Sequence, residues 1–144
     1  MAELKSLIRL KSHQLDQKKR ALAELYKQRD EIQKRKDDML EQMQNERQVA
    51  DADGGIDAQM SYLRYAENVK IEIERIDQDL AKLDDRISKA QDIMRDAFAE
   101  LKKIETVQER REQEEEDAQR KKEDQEMDDI GIEQHRRQNE EQGS

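Results

Sequence analysis

The residues here that could do chemistry are few: two histidines, His13 and His135, and a run of acids at Asp51, Asp53 and Asp57. A histidine pair can hold a metal or move a proton, but these two are far apart in sequence on polar segments, so each reads as a surface residue. The acids invite calcium, whose EF-hand loop needs Gly at position 6 and Glu at position 12. Counted from Asp51 those places hold Ile56 and Tyr62, so the spacing fails. No Gly-Lys-Ser/Thr phosphate loop is present, and no Ser has a His and an acid at a local catalytic spacing. General acid catalysis also needs a cleft that shifts a carboxylate's pKa, and an enzyme needs a pocket. The sequence is read as non-catalytic, without cofactor or metal.

Composition leads to the same class. Of 144 residues, 45% are charged and 33% apolar, with no Pro, Cys or Trp and a single Phe, Phe98. That balance suits long or coiled-coil helices and leaves too little bulk for a layered core. Without Cys there are no disulfides and no thiolate chemistry. A net charge of −9 disfavours nucleic acid, whose phosphates are bound by clustered Lys and Arg, so proteins are the expected partners. No apolar run approaches the ~20 residues of a membrane span, and no secretory signal pattern opens the chain, so a cytoplasmic location is expected.

The element that positions everything else runs from Ala66 to Ile104. Apolar residues recur there at alternating steps of three and four: Ala66, Val69, Ile73, Ile76, Leu80, Leu83, Ile87, Ala90, Met94, Ala97, Leu101 and Ile104. A stripe two residues in seven wide marks a helix that packs along one line against another helix. A looser seam occupies residues 4 to 50, through Leu4, Ile8, Leu15, Leu22, Leu25, Ile32, Met39, Met43 and Ala50. Lys11, Lys18, Arg29 and Lys36 interrupt it. Their stems can cover the seam while their heads reach water, or their like charge can keep the helix from pairing with a copy of itself.

Between the seams, Asp51 to Asp57 contains Gly54 and Gly55, where a helix can stop through a positive φ and restart with Asp57 as its cap. A short connection makes the helices antiparallel neighbours. The expected fold is an all-α, antiparallel two-helix coiled-coil hairpin, monomeric when isolated, over residues 1–130: helix 1 at about 3–50, the turn at 51–57 and a longer helix 2 at about 58–128. Two registers fit the heptads. One sets Leu22 opposite Ala90 and Leu25 opposite Ile87; the other sets Leu22 opposite Leu83 and Leu25 opposite Leu80.

Beyond Ile104 the seam positions become Gln108, Arg111, Glu115, Ala118, Lys122 and Gln125, so this part of helix 2 is expected to overhang. Acid-to-base pairs such as Glu116 with Arg120 and Asp117 with Lys121 can support it as a lone helix. Residues 131–144 are expected to be a disordered polar tail. At ~1.5 Å per residue the arms would span ~70 and ~105 Å.

Two surface regions stand out. Near the turn, Met60, Tyr62, Leu63 and Tyr65 add apolar and aromatic area off the seam, expected to be faced across the hairpin by Leu40 and Met43. They are either extra packing at the tip or a docking patch. The other region is the pair of chain ends, where Leu7, Leu10 and the overhang would be uncovered.

The opening Leu4-Lys5-Ser6-Leu7-Ile8-Arg9-Leu10-Lys11, the central Gly54-Gly55-Ile56 followed by tyrosines, and Glu109 to Glu114, reading Glu-Arg-Arg-Glu-Gln-Glu, are similar to the FliJ family. This family is the small coiled-coil component of flagellar export, with relatives in virulence-type secretion. The resemblance implies a stalk-like protein, peripherally associated with the inner membrane at the export apparatus. It implies that residues 3 to 20 with 100 to 125 enter the hexameric export ATPase FliI, and that the turn approaches the export-gate protein FlhA. Export chaperones are implied as further partners. The implied gate contact falls on Tyr62 and Tyr65 beside Leu40, and the implied ATPase contact on Arg110 and Arg111. The alternative is a coiled-coil scaffold or tether acting through protein-protein contacts.

Overall fold

The computed structural model describes residues 2–143 and contains two helices, α1 at Ala2–Asp53 and the longer α2 at Ile56–Gln142. The fold is an all-α antiparallel hairpin. The chain divides into two compact units, Ser12–Phe98 and Met1–Lys11 with Ala99–Ser144, where the sequence led us to expect one hairpin domain. In a two-helix seam a residue touches only what faces it, so no shared core ties distant stretches together.

Within residues 12–98 the core is the seam itself. Leu15, Leu22, Ala50, Ala66, Val69, Ile76, Leu80, Leu83 and Ile87 are buried. Its central cluster joins Leu22 to Leu83 and Ile87, with Leu25, Ile32, Ala90 and Met94 packed against it. No polar side chain is buried among the described residues, consistent with a dry line of apolar contacts flanked by charge.

Polar pairs across the hairpin settle the register. Arg29 Nε meets Asp84 Oδ1 and Lys36 Nζ meets Asp77 Oδ1, each at 2.6 Å. One heptad up α1 is matched by one heptad down α2. This is the register that sets Leu22 towards Ala90 and Leu25 towards Ile87; the other would carry Arg29 to Asp77 and Lys36 to Lys70, leaving Lys36 beside a like charge. Gln91 Nε2 also donates to the Tyr26 hydroxyl across the hairpin. Two of the cations that interrupt the first seam therefore reach acids on α2, their stems half-buried.

The turn is tighter than expected. Gly54, at φ 68°, donates its N–H to the Ala50 carbonyl at 3.2 Å, a left-handed helix stop. Gln59 then donates its N–H to the Gly55 carbonyl at 3.2 Å, so Gly55 and not Asp57 opens α2. Asp57 lies inside the first turn, where a carboxylate still favours the positive end of the helix dipole. The Gln59 side chain donates to the Ala50 carbonyl at 3.0 Å and to Asp51 at 3.1 Å, satisfying groups freed at the end of α1.

In the unit formed by the chain termini, Leu101 is buried and Leu4, Leu7, Ile8, Lys11, Ile104 and Gln108 are half-buried. Leu7 is thus more covered than expected, while Leu10 is exposed. Lys11 Nζ meets Glu100 Oε1 at 2.9 Å, a third seam cation with a partner on α2; Lys18 stays exposed. Residues 109 to 132 are all exposed, as expected of an overhang.

The helix continues to Gln142, through the segment expected to be a disordered tail. Local pairs support it: Gln113 and Arg120 both donate to Asp117, Gln119 donates to Glu123, and Arg136 and Arg137 pair with Glu133. Asp117 thus takes Arg120 at three residues, not Lys121 at four. Each such pair contributes a few tenths of a kcal/mol to a lone helix.

Candidate partner-binding surfaces

Small side chains shape the turn end. Ala50 and Ala66 occupy the seam there and are buried, and Ala58 and Ser61 are also small, so a concavity forms between the helices. It encloses about 480 Å³. From α2 its walls are Ala58, Ser61, Tyr62 and Tyr65; from α1 they are Glu46, Val49, Ala50 and Asp53. Both tyrosines are half-buried, so they serve the tip as packing and still present surface.

Of the residues singled out from sequence, Tyr62 and Tyr65 come together here. Leu40 does not line this groove, and neither does Met43. The observed register sets Ala50, not Leu40, near Tyr62, so the facing residues lie nearer the turn than expected. Glu46, Val49 and Asp53 could have been found from sequence only once the register was known.

Val49, on the groove wall, is 65% exposed; Ile56, Met60 and Leu63 are exposed too but do not line the groove. The stretch from Gln48 to Leu63 holds Asp51, Asp53 and Asp57 and no Lys or Arg. Among the described residues no cation pairs with Glu46 or Asp53.

Arg110 and Arg111 are exposed on α2 in the other unit, within a segment that alternates acids, amides and bases. Its Gln108 donates to Glu112 at 3.1 Å, a contact within the helix that leaves the surface polar. The histidines carry no site: His13 pairs with Gln17 and His135 with Asn139, each one helical turn away and exposed. Among the described residues no group of His, Cys, Asp and Glu could hold a metal ion. Among the described residues no helix is long and apolar enough to cross a membrane.

The model of the flagellar FliJ protein family matches residues 1–140, spanning both helices and the Gly-Gly turn. The chain belongs to the FliJ family. It is therefore a flagellar export coiled-coil protein, and its family works with the flagellar export apparatus. Neither a curated protein nor a solved structure matches the chain.

Proposed function

We propose that this FliJ-family chain is a non-enzymatic, stalk-like activator of the hexameric export ATPase that couples it to the export gate. The observation that carries this reading is the unpartnered part of α2, residues 109 to 132, which is helical yet exposed throughout. A helix that holds its shape without burying a face presents a preformed polar surface to a partner. Residues 3 to 20 with 100 to 125 would face the ATPase, with Arg110 and Arg111 among the contacts. Mixed charge makes such a contact modest in strength and sensitive to salt, which suits a subunit that must engage and release.

Tyr62 and Tyr65, in the turn-end groove, would meet the gate protein, with Leu40 outside the groove as a lesser contact. Substrate-free export chaperones would be further partners, and the chain would sit at the cytoplasmic face of the inner membrane through them. Affinity capture from the native cytoplasm, with the intact chain as bait, tests the reading. Recovery of the ATPase, weakened by added salt and by Arg110→Glu with Arg111→Glu, is the expected result; recovery of the chain alone would overturn it.

A further inference from the structure

We infer that the groove at the turn is a docking site for a basic amphipathic peptide segment of another protein. An arginine or lysine would sit between the Glu46 and Asp53 carboxylates beside Tyr62 and Tyr65, and neighbouring aliphatic side chains would lie on Val49 and Ala58. The inference deepens the proposed gate contact and rests on it only for the owner of the segment.

Charge complementarity selects this occupant. Elsewhere in the hairpin, acids on α2 meet cations on α1, as Asp77, Asp84 and Glu100 do. At the groove, Glu46 and Asp53 have no such partner among the described residues; Arg47 and Arg64 flank the turn stretch, but neither lines the groove. A guanidinium between carboxylates and against aromatic rings gains ion pairing and cation-π attraction at once. Anionic lipid and nucleic acid are repelled by the same charge. Exposed Val49 and the rings of Tyr62 and Tyr65 supply the apolar contact that a bare charge pair in water lacks.

Fluorescence anisotropy on the full chain tests this with a dye-labelled helical peptide of leucine and arginine, beside a counterpart with glutamate for arginine. The arginine peptide is expected to bind and the glutamate peptide not. Glu46→Gln with Asp53→Asn, whose helicity is checked by circular dichroism, should weaken binding about tenfold. Glu115→Gln with Glu116→Gln, on the exposed part of α2, should leave it unchanged. Equal weakening by the two pairs, no weakening by the first, or self-association of the wild type through this face would overturn the inference. If the peptide binds as expected but Tyr62→Ala with Tyr65→Ala leaves export intact, the gate reading fails and the docking site stands. Impaired export without peptide binding is the converse.

Discussion

Arg29 donates through Nε to Asp84 Oδ1 at 2.6 Å, and one heptad further along α1 Lys36 meets Asp77 at the same distance. A heptad seam alone tolerates a slip of seven residues, since one Leu is much like the next. These pairs do not, because a slip of that kind would move Arg29 to Asp77 but set Lys36 against Lys70, like charge on like. The hydrogen bond to Asp84, and then its charge, raise the Arg29 pKa further. A raised pKa in a cation gives stability that is fully present below the unfolded value and lost only as pH rises through the still higher folded one. Arg29 therefore contributes no pH dependence near neutrality.

Lys36→Glu should lower the melting temperature, because it sets a second acid against Asp77, and Asp77→Lys should do the same in reverse. The double exchange should recover most of the loss. Exposed pairs contribute about 0.2–1 kcal/mol, so the single changes should shift the midpoint by a few degrees at most. A double variant as unstable as the sum of the singles would show that the pair does not form.

Leu83→Asp should unfold much of the hairpin, because the change puts an unpaired charge into the Leu22 and Ile87 cluster at a cost of about 3 kcal/mol or more. Gln125→Asp, on a fully exposed stretch, should leave helicity unchanged. Far-ultraviolet circular dichroism with thermal melting distinguishes them; equal loss in both would mean that the segment past Ile104 is packed.

Two glycines should respond oppositely to alanine. Gly54→Ala forces a Cβ into the left-handed region at φ 68° and should destabilise by about 1 kcal/mol. Gly131→Ala lies within α2 with open space around the new methyl and should raise helicity, by about 0.5–1 kcal/mol for that segment. Melting of the two variants side by side gives the signs.

Much of this was legible in the sequence. Every seam position from Ala66 to Ile104 is buried or half-buried, and the Gly-Gly pair does stop and restart the helix. The register was not legible, since identical heptads fit two alignments until Arg29 and Lys36 are seen to choose Asp84 and Asp77. That uncertainty carried over to the groove: Tyr62 and Tyr65 were visible, while Glu46, Val49 and Asp53 depended on the alignment. The end of α2 was misjudged because polar composition resembles disorder, and the pairing of Glu133 with Arg136 and Arg137 depends on spacing, which composition hides.

The rate of ATP hydrolysis by the export ATPase bears most directly on the stalk function. It would be measured with the full chain and with a chain ending at Ile104, which retains the buried Leu15 to Leu101 seam. Stimulation by the full chain, lost with the shortened one while its helicity and melting persist, is the expected result. Equal stimulation by both would contradict the assignment of the α2 stretch ending at residue 125 to the ATPase, and no stimulation by either would contradict the stalk function itself.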